Sequence, residues 1–176
     1  EGSDAADKIA ILSGLAFGGA IKRSDIPTTG INLLEAVDVN YARKLGYGIK
    51  LLAISEKDKN QSKALGSQPL SIWVEPTLVP EDNPLAGVNG VNNAILVEGN
   101  PIGQVMFFGP GAGSGPTASA VVADILNIAG IQSMSEYNTL NLDPLLSAQS
   151  WRSCHLAEKK QITKKNYIRL ITKDSP

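Results

Sequence analysis

The feature that most constrains this chain is its opening: three charges, Asp4, Asp7 and Lys8, crowd into residues 4 to 8, and no other charge appears until Lys22. Read as a helix, Asp4 and Lys8 stand one above the other, because residues four apart share a face. At about 100° per residue, Leu12 and Leu15 fall on that same side, flanked by Ala5, Ile11 and Ala16. The remaining circumference is Ala6, Ala10, Ser13, Gly14 and Phe17. A helix that is apolar or small nearly all round is expected to be buried. The segment therefore places a lysine and a carboxylate together at the mouth of a core helix.

Two readings of that pair follow. On a surface, an Asp–Lys pair four apart contributes a few tenths of a kcal/mol, and an acid in the first turn complements the helix dipole. Partly buried, a lysine held beside a carboxylate can exchange a proton during a reaction. Periodicity alone favours the first.

Bulk composition excludes several classes. The 176 residues are 43% hydrophobic and 19% charged, with a net charge of −1. That is ordinary globular composition with no footprint for nucleic acid or an anionic membrane. No apolar run reaches the roughly 18 residues a spanning helix needs, and no signal peptide is visible. Cys154 is the one cysteine, which suits a reducing compartment, and with a single His, His155, no metal-ligand set is expected. The Cys154–His155 pair lies in a charged stretch far from any glycine-rich turn and reads as exposed surface. The chain lacks an initiator Met and is expected to be a fragment.

Further along, Gly18-Gly19 ends the first pattern, and Pro27 with Gly30 marks a loop. Leu34 to Leu45 is amphipathic, with Leu34, Val37, Tyr41 and Leu45 on one side and Gly46 as its stop. Gly48 to Ile54 reads as a strand closed by the charged turn Glu56 to Asn60. Ser71 to Val79 reads as a second, with Ile72, Val74 and Leu78 on one face and an edge or interruption expected at Pro76. Ala94 to Glu98 and Ile102 to Phe108 flank Gly99-Asn100, read as a two-residue hairpin turn. Their nearly continuous apolar runs imply cover on both faces. Helices can cover one face; the other needs a second copy of the chain or a domain absent from it. The expected class is α+β: a mixed or antiparallel sheet covered by helices on one face, the other face used for dimerisation.

Gly109-Pro110-Gly111-Ala112-Gly113-Ser114-Gly115 leads to a helix over Thr117–Ala129, with Pro116 as a first-turn proline and Gly130 as the stop. Strand, glycine loop and helix start together expose backbone N–H groups to an anion. The spacing is not G-x-G-x-x-G, and no βαβ unit surrounds it, so a self-contained dinucleotide site is not expected. Residues 131–165 read as a linker, in which Lys159-Lys160 and Lys164-Lys165 form a solvated connector. Asn166 to Ile171 reads as a single strand.

Gly2-x-Asp4-x-x-x-Lys8 followed by Ile9-x-Ile11-Leu12 resembles the end of the homoserine dehydrogenase signature. Tyr41-Ala42-x-x-Leu45-Gly46-Tyr47, Ile49 to Ile54, Pro76-Thr77-Leu78-Val79-Pro80 and Asn89-Gly90-Val91-x-Asn93-Ala94-Ile95 are similar to that family in the family's order. So is Gly109-x-Gly111-Ala112-Gly113-x-x-Pro116 through Val121. The likeness covers roughly residues 1 to 130 and reverses the weighing at Lys8. One departure is the entry to the second helix, where Asn32-Leu33-Leu34-Glu35 replaces the usual Thr-x-x-Asp/Glu; the segment Asn60 to Gln68 resembles an insertion.

The resemblance implies a catalytic and dimerisation region over 1–130, the linker over 131–165, and over 166–176 the first strand of a truncated ACT-type regulatory domain. It implies a cytoplasmic enzyme of threonine, methionine and isoleucine biosynthesis that interconverts L-homoserine and L-aspartate 4-semialdehyde. NADP or NAD would be bound mainly by an absent nucleotide-binding domain, and threonine is the effector the absent ACT domain suggests. Lys8 is the implied general acid, Asp4 the ligand of the substrate ammonium group, and Gly113 the cofactor contact. A homodimer built on the hairpin region is implied, and the piece alone is expected to be inactive. The competing reading is a dimerisation and substrate-shaping module of a related small-aldehyde reductase, with Asp4 and Lys8 a structural ion pair.

Overall fold

A computed structural model describes residues 1–57, 70–135, 156–157 and 164–171. These form two compact units, one of residues 1–79 with 147–176 and one of residues 80–146. The α+β class holds: among the described residues, three α-helices accompany two small antiparallel sheets. The segment Asn60 to Gln68, the pair Cys154–His155 and most of the expected linker lie outside the described residues.

In the first unit, α1 (Ser3–Phe17) starts behind Gly2, whose φ of 87° suits glycine, and stops at Gly18, φ 75°. Its burial is narrower than its composition suggests. Ala6, Ser13 and Gly14 are buried, whereas Ile11 and Leu15 remain 61% and 59% exposed. One face of α1 packs inward, so the expectation of a fully buried helix is corrected. The physical reason is the small first unit, which offers one covering layer rather than an enclosure.

The second helix, α2 (Ala36–Lys44), begins two residues later than the periodicity suggests. Its start is a reciprocal cap in which the Glu35 N–H donates to Asp38 Oδ2 at 3.0 Å and the Asp38 N–H donates to the Glu35 carbonyl at 3.0 Å. Gly46, φ 79°, turns the chain into β1 (Tyr47–Lys57), which absorbs Glu56 and Lys57 of the expected turn. β1 pairs with β2 (Leu70–Pro80), and the start of β1 at Gly48 lies against the Val79 carbonyl near the end of β2. β2 runs unbroken through Pro76, because every strand of a two-stranded sheet is an edge.

Ile72 and Val74 of β2, with Ala6 and Ile26, form the buried core of this unit; Ile9, Ala10, Leu51, Ala53 and Leu156 pack around it. Ser71 and Trp73, on the opposite face of β2, are also buried. The described part of the expected C-terminal strand, residues 166–171, takes no strand conformation. It lies instead in the first unit, where Arg169 and Tyr167 reach α2.

In the second unit, β3 (Asn92–Gly99) and β4 (Gly103–Pro110) form an antiparallel hairpin with Ala94 opposite Phe108 and Ile95 opposite Phe107. Its closing pair is Gly99–Gly103, so the loop has three residues, Asn100 to Ile102, rather than two. Gly103 supplies the positive φ, 73°, that such a loop needs. The final helix, α3 (Ser114–Ser135), is longer at both ends than the expected Thr117–Ala129. Among the described residues no helix is long and apolar enough to cross a membrane.

Candidate active site

Asp4 and Lys8 meet as the first helical turn requires: Lys8 Nζ lies 2.8 Å from Asp4 Oδ2. Their placement depends on what precedes α1. A Cβ at Gly2 would lie 2.9 Å from Thr28 Cγ2 and 3.5 Å from Val74 Cγ1, so glycine alone lets the chain cross the strand here. At Gly30 a Cβ would lie 2.8 Å from the backbone of Glu1. Thr28 and Val74 form a parallel bridge, with Val74 N–H donating to the Pro27 carbonyl at 2.9 Å and Thr29 N–H to the Val74 carbonyl at 2.8 Å. The first turn of α1 is thus seated by the close approach of Gly2 to the Thr28 and Val74 side chains and of the Glu1 backbone to Gly30.

The pair is open to solvent in this chain, with Lys8 56% and Asp4 82% exposed in their side chains. It does not sit in the mostly apolar enclosure that the sequence suggests. Yet its surroundings are not those of a random surface pair. Asp4, Lys8, Ile11 and Leu15 follow helical spacing down one exposed stripe of α1, charged at its N-terminal end and apolar beyond. Asp7, one step round the helix, pairs with Arg23 Nε at 3.1 Å and leaves Asp4 to Lys8. A stripe that carries one ion pair and then bare aliphatic carbon can bind a small polar molecule once a second surface closes over it.

Gly113 belongs to the second unit, in the loop before α3, with φ 120°. Its carbonyl accepts the Thr117 N–H at 3.2 Å, so it stands at the N-terminal boundary of the helix. A Cβ there would meet only Pro116 Cδ, at 3.6 Å, which leaves the loop edge open. Gly111 is different: the Asn93 amide fills the place of its missing Cβ, and its N–H donates to the Val91 carbonyl at 3.1 Å. The first N–H groups of α3 lack intrahelical acceptors. This arrangement suits a contact along the edge of an anionic or amide-bearing ligand, not a cradle around a pyrophosphate. Among the described residues no group of three or more His, Cys, Asp or Glu side chains can hold a metal ion.

Sequence reasoning missed one cluster. Asp38 is buried; its Oδ2 accepts the Glu35 N–H, and its Oδ1 lies 3.1 Å from Arg169 Nε and accepts the Tyr167 hydroxyl at 3.3 Å. Arg169 Nη1 also donates to Glu35 Oε2 at 2.7 Å, so one guanidinium spans both acids of the helix cap. The hydrogen bond and charge of Arg169 hold the Glu35 carboxyl below its usual range. Partial burial, then the Asp38 carboxylate, push the Tyr167 phenol up. The Glu35-x-x-Asp38 spacing was the available signal for the cap; nothing local announces a partner more than a hundred residues away.

Residues 1–126 match the homoserine dehydrogenase family profile. A homoserine dehydrogenase from Synechocystis is 49% identical over the whole chain, which spans 40% of that protein. One from Neisseria gonorrhoeae is 39% identical, with the chain spanning 38% of it. Among solved structures, the homoserine dehydrogenase of Thiobacillus denitrificans matches 89% of the chain with a TM-score of 0.77 at 37% identity, over 34% of its own length. That of Staphylococcus aureus at pH 6.5 matches 73% of the chain and 31% of its own, with a TM-score of 0.63 at 42% identity.

Proposed function

This chain belongs to the homoserine dehydrogenase family, and from that premise we propose that it supplies the substrate-binding and catalytic surface for NAD(P)-dependent interconversion of L-homoserine and L-aspartate 4-semialdehyde. The observation that carries the reading is the Asp4–Lys8 pair at the charged end of an otherwise apolar stripe on α1. The nicotinamide cofactor, when bound, accepts or supplies the hydride. Lys8 gives a proton to the substrate oxygen as aldehyde becomes alcohol and takes it back in the reverse direction. Asp4, acceptor-only as a carboxylate, binds the substrate ammonium group and holds the lysine chain in line. Gly113 contacts the cofactor along the open edge of its loop; the main cofactor site lies in residues beyond this chain, which spans about two-fifths of its relatives. The 176 residues alone therefore lack dehydrogenase activity. The threonine, methionine and isoleucine pathways, a cytoplasmic location and threonine as effector belong to the same reading.

The hairpin and α3 supply the dimer contact. Ile95, Val97, Phe107 and Phe108 are exposed on the hairpin, as are Val121, Ile125 and Leu126 on α3. Apolar side chains in that density mark a surface meant to be covered.

A second reading is favoured by one observation, the high exposure of both Asp4 and Lys8. In it the pair is structural, and the chain only shapes the substrate pocket and dimerises. Lys8→Ala in the full-length enzyme separates the two. Homoserine-dependent reduction of NAD and NADP is followed in parent and variant of equal fold and assembly. Loss of a positioned proton donor costs roughly 10²–10⁴ in turnover. A rate within a few-fold of the parent makes Lys8 an ion-pair partner and nothing more.

A further inference from the structure

The C-terminal segment touches the first unit at three charged or polar points. Lys164 pairs with Glu75 and stands 5.0 Å from the centre of the Trp73 ring. Tyr167 and Arg169 close on the Asp38–Glu35 cap of α2. Just before this segment, Leu156 bridges Leu70 in parallel, and the Ala157 N–H donates to the Leu70 carbonyl at 2.9 Å. Two of these anchors lie on β2, at its first residue and at Trp73–Glu75.

The alternation of a strand gives this placement its meaning. Trp73 and Glu75 share one face of β2; Ile72 and Val74 share the other. Val74 is the residue that fixes the 27–29 backbone and against which Gly2 is packed. Lys164 thus lies on the back of the strand whose front seats the first turn of α1. Arg169 similarly ties down the start of α2, the helix that packs on β1.

We propose that residues 164–171 act as a strap that holds β2 and α2 from behind and thereby positions Asp4 and Lys8, with Lys164 and Arg169 as positioning residues. Two features favour a positioning role over simple packing. Ile168, Leu170 and Ile171 are left exposed, so the segment is not held by its apolar side chains. Its charged groups instead find specific acids, one of them the buried Asp38. A guanidinium that spans two carboxylates fixes direction as well as distance.

The catalytic half of this inference rests on the proposed reading of Asp4 and Lys8; the structural half does not. The test uses the full-length enzyme with Lys164→Ala, Arg169→Ala and the rescue variant Lys164→Arg. Amide hydrogen exchange at Ala6 to Lys8 and at Thr29, whose N–H is bonded to Val74, measured without substrate, is expected to quicken about 10-fold in the alanine variants. Homoserine KM is expected to rise about 10-fold and kcat to fall about 10-fold, because the ammonium ligand and the proton donor sit on the same loosened turn. Lys164→Arg keeps the charge and the ring contact and is expected to restore both. Unchanged exchange at Ala6 to Lys8 and at Thr29 in both alanine variants overturns the strap. Both KM and kcat within about 2-fold of the parent in the alanine variants overturn the positioning role. Exchange decides for or against the strap even if the parent proves inactive toward homoserine, so the two failures are distinguishable.

Discussion

The two units of this chain treat apolar surface in opposite ways. In the first, Ile72 and Val74 are covered by the helix and loop that precede them in sequence, and the back of the same strand is covered too, with Ser71 and Trp73 buried. In the second, the hairpin leaves Phe107 61% and Phe108 59% exposed, and α3 exposes Val121, Val122, Ile125, Leu126 and Ile128. Both units have strands and helices of adequate propensity, so local structure does not distinguish them. What differs is whether the chain itself supplies the second layer. The first unit closes a core from its own residues; the second presents apolar side chains to a surface that other residues must provide.

That contrast can be broken at its exposed side first, where the largest effect is expected. Phe107 faces Ile95 across the hairpin, so Phe107→Asp places a charge in the middle of one exposed face. In the full-length protein, sedimentation is expected to show self-association weakened at least about 30-fold, as for loss of a central aromatic anchor. Association unchanged by the substitution would mean that this face is covered by something other than a second copy.

The next effect sharpens the comparison within one chemistry. Val74→Ala removes buried carbon from the first core and is expected to cost about 2 kcal/mol in urea unfolding of this chain. Val122→Ala removes the same atoms from exposed α3 and is expected to lie within about 0.5 kcal/mol of the parent. Equal costs at the two positions would show that α3 is packed in solution and that the contrast between the units is overstated.

The residues also explain which parts of the molecule were legible in sequence. The turns at Gly18 and Gly46 and the alternation at Ile72 and Val74 are local, and the structure bears them out. So is the i,i+4 spacing of Asp4 and Lys8, though their roles were implied by the family likeness rather than by the spacing. Burial of α1 is narrower than its composition suggests, because composition records how apolar a helix is, not how many layers its fold provides. The hairpin loop came out one residue longer because Gly103, not Asn100, takes the positive φ. The Arg169–Asp38 contact was illegible because nothing at either residue encodes a pairing 131 positions apart. Asn166 to Ile171 reads as a strand until Tyr167 and Arg169 within it are seen to have partners on α2.

The smallest effect concerns the part of the first unit held by charge rather than by apolar burial. Glu35 is held below its ordinary value of 4.5 by the Arg169 hydrogen bond first and by its charge second. Its contribution to strap docking is therefore present above that value and is lost as pH falls through the lower, folded-state value. Tyr167 is raised above its ordinary 10.0, by partial burial first and by Asp38 next, so the neutral phenol is the docked form. Its contribution is complete below 10.0 and is lost as pH rises through the higher folded value. Arg169, raised chiefly by its hydrogen bond to Glu35, stays charged throughout. Docking is thus expected to be flat between about pH 5 and 9 and to loosen at both ends. Methyl resonances of Ile168 and Leu170 report the strap and those of Val74 report the core beneath it. On acidification the strap signals should move first, below the ordinary glutamate range, while Val74 stays in place. A midpoint near neutrality, or strap and core moving as one, would show that the segment is held by the same burial as the core and that the acids of the α2 cap are incidental to it.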